Sequence, residues 1–236
     1  MSVLEIDSRR KVARIAGLLY LALIIFGIFA EFFVRSKLIE YGNAYTTLVN
    51  VKSSEQLFRI GFTFDLLMLL AYFFLSMVLY HLLESVNKKV GSIMVLCVLA
   101  AVAIMFVNML HYYMVLLVSE NKDYLEVFEN DQRDALGMLF IYVYRKGYMI
   151  AQVFFGLWLL PLGYLVFRSD FMPRILGILL MVAGAEWMID SFIYFLFPDL
   201  SRVISLYILL SAACIEFLFC FWLLFKGVKE QKLINS

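Results

Sequence analysis

The chain has 236 residues, 64% of them hydrophobic, and a formal net charge of +1; its mean hydropathy is +0.89. Soluble domains run at about 45–50% apolar, so this composition excludes an ordinary soluble domain and predicts an all-α, polytopic membrane bundle with no room for a second, soluble one. The near-zero charge, with no dominant basic block, excludes a nucleic-acid partner, and Cys97, Cys214 and Cys220 all fall in apolar runs, which points to neither a disulfide framework nor a thiolate metal site.

Six transmembrane helices are predicted, with short amphipathic helices in the outer loops. Residues 1–14 form a basic N-terminus carrying Arg9, Arg10, Lys11 and Arg14, residues 15–228 the six-helix domain, and residues 229–236 a tail. The first apolar run, Ile15 to Val34, is longer than the core of a signal peptide and no small-x-small site closes it, so it reads as a retained span. Glu31 and Arg35 at its far end are one turn apart and predict an intrahelical ion pair. An amphipathic piece, Ala44 to Val51, precedes the second span, which starts near Ser53, in capping-box spacing with Gln56, and runs to Leu83. Within it Arg59 is expected to pair with Glu55. Asp65 has only Gly61, Phe62, Met68 and Leu69 at helical-neighbour positions, so its partner must come from another helix or from water.

A basic turn, Asn87-Lys88-Lys89, leads into the third span, Val90 to Val118, in which Asn108 and His111 share a face and Tyr112 lies one turn beyond Asn108. His111 and His81 are the only histidines, so no multi-histidine metal site can be built, and no cofactor is implied. Residues 119–134 are acidic, with Tyr124, Leu125 and Phe128 suited to a short helix lying on the membrane. From Ala135 a helical pattern continues to Phe167, with Tyr148, Gln152 and Gly156 in one stripe and a kink expected at Pro161. Pro173 fits the first position of the fifth helix. That apolar run, Ile175 to Phe197, carries Glu186 and Asp190 one turn apart on one face. A carboxylate at the centre of a span costs roughly 2.5–3.5 kcal/mol, so the pair needs a shared proton, a bound cation, or a partner such as His111 or an arginine. A turn of a few residues after Pro198-Asp199 opens the sixth span, Val203 to Phe225, with a small-residue face at Ser211-Ala212-Ala213 and Glu216 inside the apolar run. The basic residues at the helix ends place both termini in the cytoplasm under the positive-inside rule.

Four stretches act together: IAGLLYLALIIFGIFAEFFVRSKLI from Ile15, LFRIGFTFDLLMLL around Asp65, FFGLWLLPLGYLVFRSDFMPRILGILL from Phe154 and MIDSFIYFLFP from Met188. In combination they resemble the bacterial domain-of-unknown-function 4386 family, over nearly the whole chain. The resemblance implies a multi-pass protein of the bacterial inner membrane. It supplies no activity and no catalytic residue.

At a rise of ~1.5 Å per residue, Glu31, Asp65, Asn108, His111, Gln152, Glu186, Asp190 and Glu216 all fall in the outer half or middle of their spans, above an almost wholly apolar inner floor. Ionisable groups at such depth are functional candidates. They predict a polar, acidic cavity open to the outside that binds or transports a small polar or cationic ligand, or protons. A non-catalytic partner for another membrane protein, as a homo- or hetero-oligomer, is the first alternative. An intramembrane acid–base hydrolase is the second, weakened because the spans hold no nucleophile elbow and no zinc motif. The bland alternative is neutral hydrogen-bonding glue between helices, at about 0.6 kcal/mol per contact.

Overall fold

A computed structural model describes residues 3–120 and 123–227; Lys229 and Lys232 of the basic tail lie outside the described residues. Among the described residues every regular element is helical. The order is α1 (Val3–Ile28), a π-helical stretch (Phe29–Arg35), α2 (Ser36–Leu38), α3 (Ala44–Ser53), α4 (Glu55–Ser119), a 3₁₀ turn (Asp123–Leu125), α5 (Asn130–Leu157), α6 (Leu159–Arg168), α7 (Arg174–Leu196), α8 (Pro198–Phe221) and a second π-helical stretch (Trp222–Lys226). Among the described residues five helical stretches are long and apolar enough to cross a membrane, against the six spans expected. The difference is α4, whose 65 residues include a single non-helical residue, Asn87 (φ −161°, ψ 101°). The basic turn is therefore one residue wide, and the Asn87 side chain accepts from the Val90 N–H at 3.2 Å to start the next helix. Beyond that break the chain returns alongside itself, with Phe58 stacked on Tyr112 at 4.5 Å between ring centroids.

Local chemistry sets the other boundaries. Asn43 caps α3 by accepting from the Thr46 N–H. The Ser53–Gln56 capping box does not form: Ser53 Oγ donates back to the Asn50 carbonyl, and Ser54 precedes α4 without a side-chain cap. Helix α5 begins at Asn130, not Ala135, because Gln132 reaches back to accept from the Glu129 N–H. The amphipathic helix expected in this loop is a single 3₁₀ turn with Leu125 buried. Pro161 has no N–H for the Leu157 carbonyl, so the ladder loses one bond beside Trp158, whose own backbone stays helical (φ −69°, ψ −27°) between α5 and α6. Pro173 occupies the cap position ahead of α7 instead of the first helical one. The turn between the last two helices shrinks to Phe197, since Pro198 itself starts α8.

The chain divides into two compact units. The terminal unit takes the described parts of Met1–Leu21 and Met149–Ser236 together with Ala71–Val102, and the inserted unit takes Ala22–Leu70 and Ala103–Tyr148. In the terminal unit the tightest packing is a glycine seam. A Cβ on Gly156 would meet the Gly184 carbonyl oxygen at 2.5 Å, and one on Gly163 would meet that of Gly177 at 2.5 Å. Each pair of glycines is two helical turns from the next, so α5 and α6 lie backbone-to-backbone against α7, the close approach that small residues permit in lipid. In the inserted unit Phe58, Leu69, Met105, Met109, Tyr112 and Leu116 are buried. Large apolar side chains also stand exposed along the long helices, among them Leu18, Leu96, Leu110, Ile175 and Leu206. Helices apolar on their outer face as well as their inner one suit a lipid surround.

Candidate functional sites

The eight residues singled out from the sequence divide evenly. Glu31, Asp65, Asn108 and His111 belong to the inserted unit, and Gln152, Glu186, Asp190 and Glu216 to the terminal unit.

In the inserted unit Asp65 is 1% exposed and receives Arg35 Nη1 at 2.5 Å. The same guanidinium gives its Nε to Glu31 at 2.6 Å, one turn earlier, so the expected intrahelical pair is one arm of a three-member network. The π-helical backbone makes this reach local: the Ser36 N–H bonds the Glu31 carbonyl five residues back, and such wider turns frequently mark functional positions. Arg35 lies 5.7 Å from the Tyr112 ring and 5.8 Å from that of Tyr144, which gives the cation two aromatic faces. Asn108 donates to the Tyr144 carbonyl at 2.8 Å, its side chain filling the space a Cβ at Gly147 would need. The Tyr112 hydroxyl and His111 Nδ1 are buried with no hydrogen-bond partner among the described residues. Arg59 pairs with Glu55, as expected, and also reaches Glu120 and the Tyr113 hydroxyl.

The terminal unit handles its carboxyl groups differently. Asp190, 3% exposed, accepts from Gln152 Nε2 at 2.9 Å and from the Ser205 hydroxyl, which in turn meets Ser201 Oγ at 3.0 Å. Gln152 Nε2 also reaches the Trp187 carbonyl at 3.2 Å, and the Trp187 indole donates to Glu216 Oε1 at 2.9 Å. The second oxygen of Glu216 accepts from the Tyr20 hydroxyl at 2.6 Å. One string of hydrogen bonds thus runs from Tyr20 through Glu216, Trp187, Gln152 and Asp190 to Ser205 and Ser201. Glu186, one turn before Asp190, accepts from Ser211, and its other oxygen is buried without a hydrogen-bond partner among the described residues. No ion pair reaches Glu186, Asp190 or Glu216 among the described residues. Among the described residues neutral donors hold Glu186 and Asp190, and neither His111, which belongs to the inserted unit, nor an arginine pairs with them.

Sequence reasoning missed Tyr20, Trp187, Ser201 and Ser205 as members of this string. Ser201 and Ser205 were legible as an i, i+4 pair, but only with α8 starting at Pro198. Tyr20 and Trp187 read as ordinary aromatics in apolar runs.

The family described as Domain of unknown function (DUF4386) matches residues 15–227. An uncharacterised protein of Archaeoglobus fulgidus is 33% identical over 87 residues, covering 37% of this chain and 50% of that protein. The match thus spans half the length of that relative. No solved structure matches the chain.

Proposed function

Since the chain belongs to the DUF4386 family, whose description names no activity, we propose from its residues that it is a six-crossing integral membrane protein that takes up a small cation or a proton at Asp190. The two arms of α4 supply two of the six crossings. Both termini lie in the cytoplasm, and the membrane is the bacterial cytoplasmic one. Asp190 carries the reading: a carboxyl group among apolar helices, hydrogen-bonded by Gln152 and Ser205, with no described cation to balance its charge. A carboxylate held only by neutral donors favours any small positive partner that can reach it. The string from Ser201 through Ser205 gives a route for a proton, since each hydroxyl both donates and accepts. Glu186, with one partnerless oxygen one turn away, is a second ligand for a cation.

Purified protein in uncharged detergent should bind sodium or methylammonium, read by isothermal titration calorimetry at fixed pH, and Asp190→Asn should remove that binding. Unchanged binding by the variant would sink the assignment. The topology is tested separately by cysteine labelling in intact cells. Positions 119 and 130 should label from outside, and labelling at position 2 without permeabilisation would reverse the orientation.

A further inference from the structure

A cavity of about 420 Å³ in the terminal unit is lined by Arg9, Ser85, Val86, Arg168, Ser169, Asp170 and Phe171, within the ~300–1,000 Å³ usual for small-ligand sites. We propose that it binds a phosphate group, carried by a phospholipid headgroup at the bilayer surface or free in solution. Three observations carry this. First, among the described residues neither of its two guanidinium groups is in an ion pair: Arg9 gives a long contact to Ser85 Oγ at 3.5 Å and lies 5.2 Å over the Phe171 ring, and no salt bridge reaches Arg168. Arginine's planar fork of donors matches phosphate oxygens. Second, two of the carbonyls at the end of α6, which would repel an anion, are occupied. The Ser169 N–H reaches those of Leu165 and Val166, and its hydroxyl donates to Val166. Third, the lining comes from ends of apolar runs: Arg9 precedes the first, Ser85 and Val86 precede the break at Asn87, and Arg168 closes α6. Basic pockets at such ends are where lipid headgroups bind. Asp170 also lines the cavity, so two guanidinium groups against one carboxylate leave one net positive charge, suited to a phosphodiester.

The full chain in uncharged detergent would be titrated with sodium phosphate against sodium chloride at matched ionic strength, and with phosphatidylglycerol against diacylglycerol, following thermal melting. Melting should rise with phosphatidylglycerol, with phosphate, or with both. A response to phosphatidylglycerol alone identifies the headgroup as the source, and a response to phosphate alone identifies a soluble one. Arg168→Gln, an exposed change that leaves no partner unpaired, should weaken the response about tenfold or more, with Arg168→Lys between the two and Asp170→Asn tighter than wild type. No response to either probe, or an equal one from Arg168→Gln, overturns the proposal.

Discussion

Asp65 and Asp190 are buried to nearly the same degree, 1% and 3% exposed, in helices of similar apolar character, yet their surroundings answer the charge differently. In the inserted unit the answer is a cation: Arg35 bridges Asp65 and Glu31 and rests against Tyr112 and Tyr144. In the terminal unit it is a set of neutral donors, Gln152 and Ser205 for Asp190, Tyr20 and Trp187 for Glu216. An ion pair fixes its members, because removing either one strands a charge in a medium that cannot solvate it. A carboxyl group held by neutral donors has no fixed counter-charge, so a proton or small cation that arrives there leaves no partner charge stranded. The first arrangement suits structure and the second suits exchange.

The comparison can be broken at several points. Its largest expected effect is Arg35→Met, which strands Asp65 and should cost about 3–5 kcal/mol of stability. Thermal melting in detergent would show the loss, and adding Asp65→Leu should recover most of it, because the pair can be replaced by apolar packing but not halved. Next comes the glycine seam against which the terminal string is built. Gly177→Val places a side chain against the Gly163 carbonyl and the Phe167 backbone, neither of which can turn aside, and should cost about 1–3 kcal/mol. Glu216→Leu removes the acceptor of both Tyr20 and Trp187 and should cost about 1–3 kcal/mol, chiefly at the Trp187 indole N–H, which unlike the Tyr20 hydroxyl cannot turn away, whereas Glu216→Gln should cost well under half of that because the Tyr20 hydroxyl can turn and accept. A Gln variant as damaging as Leu would mean that the carboxylate charge itself is structural. The smallest effect is expected at Arg202, whose pairing with Asp199 is almost fully exposed; Arg202→Ala should leave the melting temperature unchanged.

The helical class and the buried acids were legible because apolar run length and isolated charges are properties of sequence alone. The Glu31–Arg35 and Glu55–Arg59 pairs were legible for the same reason, each being four residues apart. Three things were not. The Arg35–Asp65 bond joins positions thirty residues apart, and periodicity gives no pairing between helices. The seam repeats a seven-residue spacing in Gly156 and Gly163 and again in Gly177 and Gly184. Only Gly156 stood out, because a glycine in an apolar run declares no partner until the facing helix is known. Helix ends shifted wherever a proline or a single side-chain cap set them, as at Asn87 and Pro198, because one hydrogen bond decides between a loop and a continued helix. The even division of the eight polar residues between two units was likewise invisible, since depth along a span says nothing of which neighbours a residue packs with.

The protein itself balances Asp65 and, among the described residues, leaves Asp190 without a counter-charge, a contrast that paired amide substitutions measure. Asp65→Asn removes the buried counter-charge of Arg35 and leaves it only the exposed Glu31, and should lower stability by about 3 kcal/mol. Asp190→Asn keeps an acceptor oxygen and a shape that Gln152 and Ser205 can both meet, the Ser205 hydroxyl turning to accept, and should change stability by less than about 1 kcal/mol. Melting of the two variants beside wild type, in the same detergent and at the same pH, measures both. A large loss at Asp65 with little at Asp190 is the predicted result. Equal losses at the two positions would overturn this contrast, because Asp190 would then be balanced by a fixed charge and have none to offer a ligand.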